Sequence, residues 1–245
     1  MFNIILYILY GVLSVFVAVA PIVCIKRKFG GNLKRVRDGV AVYVLFSAIL
    51  NSVLYTVLSV SLKLQDKIEQ SNLSFAVVNA LVLTLCALLG RTLWLKAVIK
   101  EKQKGDDLLF GAGYASSYIF FGYLITAVAN LVICIIYLVN SSATVSQVFA
   151  SNVEQIQGMG TYTLFLEILQ MLIAYVFEAA ICVAFYRVLV CGGDKKWLFA
   201  ATLIHFLGNG VIMFNGLNKS ITVLIFFAVT VVAYGIAHFL SSKKE

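Results

Sequence analysis

The sequence has very little charge for its length: Asp, Glu, Lys and Arg together make up only 12% of its 245 residues, whereas 62% are hydrophobic. A soluble domain carries about 25% charged residues, because its surface must be solvated by water. Proline occurs once, at Pro21, and no linker or low-complexity stretch interrupts the chain. These shortages exclude a water-soluble globular protein and predict one integral membrane domain over residues 1–245.

Metal ligands and disulfide partners are also scarce. The five cysteines occur in or at the ends of apolar runs without CxxC spacing, and the two histidines, His205 and His238, stand on different runs. Zinc sites and disulfides need convergent sets of such residues, and neither HExxH nor a GK[ST] phosphate loop is present. We therefore expect no metal site and no cofactor, and cysteines that pack as small hydrophobic side chains.

Seven apolar runs reach the roughly 20 residues that a helix needs to cross the hydrocarbon layer of a membrane. They are Asn3–Ile25, Val40–Leu62, Leu73–Val98, Leu108–Val139, Tyr162–Val190, Trp197–Leu217 and Ile221–Leu240. Two of them, 108–139 and 162–190, are longer than one crossing requires, so an extra half-helix is an alternative in either place. The segment after the fourth run favours a turn of amphipathic helix around Val145 to Ile156. The predicted fold is an all-α polytopic bundle of about seven transmembrane helices.

The positive charge is unevenly distributed along these runs. Sixteen of the 19 Lys and Arg residues fall in 26–37, 91–104, 187–196 and 243–244, whereas the loops of the other side hold only Lys63, Lys67 and Lys219. Basic residues beside apolar spans mark the cytoplasmic side. We therefore expect the N-terminus outside and the C-terminus in the cytoplasm of a cell membrane, most simply a bacterial cytoplasmic membrane. The net charge of +8 then reflects topology, and we expect no nucleic-acid partner.

Polar side chains at bilayer depth are costly, which makes each of them a candidate functional residue. The set comprises Glu167 and Glu178 on the fifth run, His205 and Asn209 on the sixth, and Asn130, Asn79 and Asn51 on the three runs before them. Arg91 and Arg187 lie near the ends of their runs, where long side chains can reach the interface. These two arginines are therefore not among the candidate functional residues.

Glu178 is predicted to meet His205. His205 and Asn209 are four residues apart and so share one face of the sixth helix, and Glu178 lies at a depth between them. The fifth and sixth helices are consecutive and joined by a short loop, which favours direct packing. The contact is either an interhelical hydrogen bond worth about 1 kcal/mol or a general base that takes a proton from water.

The fourth run carries a stripe of small and polar residues, namely Gly111, Ala115, Gly122, Thr126 and Asn130. Small residues at a spacing of four allow two helices to approach closely. The alternative is that the stripe forms one wall of a central cavity, with Gly111, Gly113, Tyr118, Asn130 and Glu167 as binding residues.

The order of these features resembles the YhfC-type membrane peptidases, relatives of the CAAX-processing and bacteriocin-processing glutamic intramembrane proteases. GAGYASSY at the start of the fourth run resembles the glycine-rich motif of that family, AYVFEAAICVAF resembles the helix of its core glutamate, and LIHFLGN resembles its His-x-x-x-Asn/Asp element. The resemblance implies an intramembrane-protease fold with Glu178, His205 and Asn209 in the catalytic positions.

The chain also departs from that family pattern. A glutamate normally follows the glycine-rich motif, where this chain has Ser116 and Ser117. An arginine normally follows the core glutamate, where this chain has Ala179, and a further histidine is expected where it has 182–186. The resemblance therefore supports the fold more than the activity.

Three functions stay open at this point. The first is a catalytically reduced member of that fold that binds a hydrophobic or membrane-protein partner in a cavity between the fourth, fifth and sixth helices. The second is an active glutamic-type intramembrane protease with Glu178 as general base and with His205 and Asn209 stabilising the oxyanion. The third is a transporter subunit or a heptahelical sensor, although the broken, repeated helices typical of ion transporters are not visible.

Overall fold

The seven predicted spans form seven long helices in the computed structural model, which describes residues 2–61, 71–139 and 160–242. These are α1 (Phe2–Phe29), α2 (Lys34–Val42, Tyr43–Leu50 and Asn51–Ser61 in succession), α3 (Asn72–Ala97), α4 (Asp106–Ile119, Phe120–Leu124 and Ile125–Val139 in succession), α5 (Thr161–Leu189), α6 (Lys196–Met213) and α7 (Lys219–Ser242). All seven are long and apolar enough to cross a membrane. The predicted all-α fold is confirmed, and the chain is a multi-pass membrane protein.

The orientation of the bundle stays a prediction, because the helices themselves do not distinguish the two sides of a membrane. We call the end that carries the α1–α2, α3–α4 and α5–α6 connections the basic end. Lys63, Lys67, Lys243, Lys244 and the amphipathic turn predicted around residues 145–156 lie outside the described residues.

The two longest runs cross without a separate half-helix. α5 is one continuous helix of 29 residues, about 43 Å at 1.5 Å per residue, which exceeds the hydrocarbon thickness of about 30 Å. α4 is also continuous, but its segment Phe120–Leu124 is π-helical. A second π-helical segment, Tyr43–Leu50, occurs in α2 and was not predicted. The extra length of both runs therefore lies in one continuous helix each, and α4 contains a π-helical segment.

α5 is the central helix of the bundle. It packs against α1, α3, α4, α6 and α7, and 72% of its most apolar stretch is buried, against 17% to 39% in the other six spans. In lipid, the helices on the outside expose apolar side chains, so an apolar sequence does not identify the inner helix. The central position of α5 keeps Glu178 away from the lipid.

Glycines allow α4 to lie between α2 and α5. A Cβ atom added at Gly39 would collide with the Phe110 carbonyl oxygen, and one added at Gly113 would collide with the Val36 carbonyl oxygen. On another face of α4, a Cβ at Gly111 would lie 2.8 Å from the Ala179 carbonyl oxygen of α5. The glycine-rich motif therefore serves two helix crossings. Within the predicted stripe, close packing agrees with the structure at Gly111 and Ala115, whereas Gly122 and Thr126 are exposed.

Buried ion pairs lie at the basic end of the bundle. Arg35 pairs with Asp38 at 2.9 Å and with Asp106 at 3.2 Å, and Arg187 Nε lies 2.6 Å from Asp107 Oδ2. We call these five residues (Arg35, Asp38, Asp106, Asp107 and Arg187) the basic-end cluster. Arg187 does not simply extend into the interface as the sequence analysis assumed, because the first turn of α4 offers it a carboxylate.

Candidate functional site

The predicted contact between Glu178 and His205 is confirmed. His205 Nε2 lies 3.2 Å from Glu178 Oε1, between α6 and α5. Gly208 makes room for this approach, because a Cβ atom there would collide with the ring of Phe177. The Phe177 ring stacks on the imidazole, with 5.9 Å between ring centroids and 3° between planes. The imidazole is therefore fixed by an aromatic ring on one side and by the carboxylate at its edge.

Asn209 supports His205 from the next turn of α6. Its Nδ2 donates to the His205 carbonyl oxygen at 2.9 Å and lies 3.3 Å from His205 Nδ1. Asn209 Nδ2 also lies 3.3 Å from His205 Nε2, so the amide faces the ring without selecting one nitrogen, and the imidazole can donate its Nε2–H to Glu178. The four-residue spacing predicted the shared helix face, and the structure adds that the amide contacts the ring itself.

Arg91 is the functional candidate that the sequence analysis missed. Its Nη2 donates to Glu178 Oε2 at 2.7 Å, and the residue is only 1% exposed. The assumption that Arg91 reaches the membrane interface was wrong, because its side chain extends from α3 to Glu178 of α5. The missing family arginine after Glu178 was the available signal, since a buried carboxylate needs a positive partner.

These four residues, Arg91, Glu178, His205 and Asn209, form what we call the Glu178 cluster. None of them is more than 2% exposed. They come from α3, α5 and α6, so the cluster joins α3 to two helices that follow much later in the chain. Chemically, it is a carboxylate whose two oxygens face two different nitrogen donors in a dry interior.

The other predicted binding residues contact different partners. Glu167 Oε1 lies 2.7 Å from Lys219 Nζ, half-buried at the end of α5 opposite the basic end. The Tyr118 ring lies 6.1 Å from the rings of Tyr43 and Tyr123. Asn130 is partly exposed on the last part of α4, and Gly111 and Gly113 lie at the helix crossings described above. Their binding roles stay predictions.

The donor set of the Glu178 cluster does not fit a catalytic metal. Catalytic zinc normally has three protein ligands and one open position, and within residues 2–61, 71–139 and 160–242 no group of three or more His, Cys, Asp or Glu could hold a metal ion. One oxygen of Glu178 is also held by a guanidinium. His238 is exposed on α7, where it stacks on Tyr234, and belongs to no candidate metal group of the described residues.

Comparison with known proteins identifies the family. A family model described as YhfC intramembrane metalloprotease matches residues 13–231, a range that includes the glycine-rich motif and the whole Glu178 cluster. No curated protein and no solved structure matches the chain. The chain therefore belongs to the YhfC family, as the resemblance predicted, although its donor set does not fit the metal that the family description implies.

Proposed function

We propose that this member of the YhfC family is a catalytically reduced protein that binds a hydrophobic segment of a membrane-protein partner within the bilayer and does not cleave it. The observation that carries the proposal is the state of Glu178. Its two carboxylate oxygens face Arg91 at 2.7 Å and His205 at 3.2 Å, and its side chain is only 3% exposed.

A general base must reach the water from which it takes a proton, directly or through one further water. Glu178 instead lies among buried side chains, with Arg91 and His205 against its two carboxylate oxygens. The residues that stand in place of a second acid are also engaged. Ser116 Oγ donates to the Ala18 carbonyl oxygen at 2.6 Å, and Ser117 Oγ donates to the Gly113 carbonyl oxygen at 3.1 Å. Ser116 therefore links α4 to α1 and Ser117 bonds within α4, so neither hydroxyl is available to act as a second catalytic group.

The surface that suits a partner lies elsewhere in the bundle. The cavity expected between α4, α5 and α6 is not a good candidate, since Gly111 brings α4 directly onto α5. An apolar groove of about 240 Å³ lies between α1 and α4, lined by Tyr7, Ile8, Gly11, Val12, Val15, Leu124, Ala127, Val128 and Leu131. Such a groove within a transmembrane bundle suits an apolar segment, because packing drives helix association in lipid.

A photo-crosslinking amino acid tests this proposal in living cells. We would place it at Val15 or Val128 in the groove, and at Leu224 on the exposed face of α7 as a matched control that is 68% exposed. We expect both groove positions to give an adduct with the same membrane protein and the control to give lipid adducts only. The same adduct should form in the Glu178→Gln variant.

An active intramembrane protease is the second candidate, and the pairing of Glu178 with His205, supported by Asn209, is the observation that favours it. This function predicts membrane-protein fragments that are present in cells with the wild-type chain and absent in cells with Glu178→Gln, which preserves the shape of the side chain. Any such fragment would show that the non-catalytic proposal is wrong.

A further inference from the structure

We infer that the Arg91 guanidinium is the resident cation of the Glu178 cluster, so that Glu178 does not hold a divalent metal ion. This inference goes beyond the proposed function and does not depend on it, because a site with a resident guanidinium could belong to a binding protein or to a metal-independent hydrolase. It concerns only which cation neutralises Glu178.

The surroundings of Arg91 are built to hold a cation. Besides the carboxylate at 2.7 Å, the guanidinium carbon lies 4.3 Å from the centroid of the Tyr114 ring and 5.6 Å from that of Phe185. The face of an aromatic ring attracts a cation, most strongly where water is excluded. The Tyr114 hydroxyl is in turn fixed at 2.6 Å from Ser47 Oγ of α2. Four helices therefore contribute to one cation site.

The arginine also excludes a second cation. Guanidinium keeps its charge at all pH values relevant to proteins, so a divalent ion that approached Glu178 would meet a fixed positive charge in a medium of low dielectric constant. The adjacent groups are poor replacements for metal ligands. Asn209 is engaged with His205, and the Cys182 thiol, one turn after Glu178 on α5, lies against Arg91 itself.

The positive charge beside Glu178 comes from a different helix. In the family pattern that the sequence resembles, an arginine closely follows the core glutamate, whereas this chain has Ala179 there. Arg91 supplies the charge from α3, where Gly90 beside it packs against the Phe46 ring of α2, as a Cβ there would lie 2.5 Å from Phe46. Glu178 therefore depends on the packing of α3 against α5 for its positive partner.

Metal content tests the inference directly, with zinc as the probe. The full chain, purified in mild detergent, would be incubated with Zn²⁺ and desalted, and its zinc would be measured by mass spectrometry beside that of Glu178→Gln. We expect the two proteins to hold the same amount, far below one zinc per chain. One zinc per wild-type chain that Glu178→Gln loses would overturn the inference.

A double-substitution cycle tests whether Arg91 acts as the counter-charge. We expect Arg91→Gln and Glu178→Gln each to lower the thermal midpoint by on the order of 10 °C, because each leaves one buried charge unpaired. The double variant has neither charge and should recover most of that loss. Losses that simply add in the double variant would contradict the inference.

Two further variants complete the design. Arg187→Gln removes an arginine that is 22% exposed, and it should lower the midpoint much less than Arg91→Gln. If a single variant fails to fold, Arg91→Lys still retains the cation and should remain as free of zinc as the wild type. A zinc ion gained by Arg91→Lys would show that the charge at this position is not what excludes the metal.

Discussion

The bundle contains two clusters that pair arginine with carboxylate, and they are built differently. In the basic-end cluster, Asp106 accepts from the backbone N–H groups of Asn32 at 2.7 Å and Gln103 at 3.1 Å, besides Arg35. In the Glu178 cluster, no such backbone donor is available, because Glu178 is in mid-helix and every nearby N–H is used within the helix. Its partners are side chains only.

The difference shows what each cluster can do. Loops near the end of the bundle supply backbone donors, so a buried charge there can be satisfied by backbone as well as by side chains. A charge in the middle of a helix bundle has only the side chains that other helices bring to it. We therefore expect the basic-end cluster to tolerate the loss of one partner better than the Glu178 cluster, which requires α3, α5 and α6 to be in register.

The largest effect is expected from Glu178→Ala, which leaves the guanidinium of Arg91 buried without an anion. Breaking a buried pair by removing one partner costs about 3–5 kcal/mol. Unfolding of the purified protein by denaturant in detergent micelles measures this loss. Glu167→Ala on the same helix is the control, since the Glu167 side chain is 27% exposed. Equal losses in the two variants would remove the distinction between the mid-helix and the end positions.

A smaller loss is expected from Asp106→Ala in the basic-end cluster. The substitution leaves the backbone N–H groups of Asn32 and Gln103 and the Nε–H of Arg35 without their acceptor, and hydrogen bonds to charged groups contribute about 1.5–3 kcal/mol each. Because Arg35 keeps Asp38 and the Glu101 carbonyl oxygen as partners, no charge is left unpaired, and we expect a total loss of about 2–3 kcal/mol in the same unfolding assay. A loss above that of Glu178→Ala would reverse the comparison.

The next largest loss of stability is expected where α2 crosses α4, near the basic-end cluster. Gly39→Ala places a methyl group against the Phe110 carbonyl oxygen, which must separate α2 from α4 at a cost of about 1–3 kcal/mol. Gly122→Ala on α4 is the matched control, because a Cβ atom there meets nothing within 4 Å. Comparable unfolding free energies for both variants would show that the crossing is not tightly packed.

The smallest effect is expected at the end of the bundle opposite the basic end. Lys219→Ala removes the half-exposed pair with Glu167, and such pairs contribute about 0.2–1 kcal/mol. Because salt screens exposed charges much more than buried ones, 1 M NaCl should abolish the difference between Lys219→Ala and wild type while leaving the Glu178→Ala difference unchanged. Salt sensitivity of the Glu178→Ala difference would indicate that water reaches the cluster.

Much of the candidate site could be predicted from spacing. The depth of Glu178 and the four-residue interval between His205 and Asn209 were sufficient to predict their contact, since consecutive antiparallel helices pack together. Arg91 was missed for a physical reason. The distance of a residue from a helix end indicates how far a long side chain must extend to reach water. It does not indicate whether the side chain faces a neighbouring helix or the lipid.

The sequence by itself determined the number of helices, because the length of an apolar run is a local property that the thickness of the bilayer selects. Only the tertiary structure decided that α5 is central, that Gly111 and Gly113 serve different crossings, and that Arg91 of α3 reaches Glu178. In lipid, apolar side chains cover both the inside and the outside of a bundle, so helix rotation and neighbours depend on contacts between distant residues. Which charged side chains pair therefore depends on how the helices pack against one another.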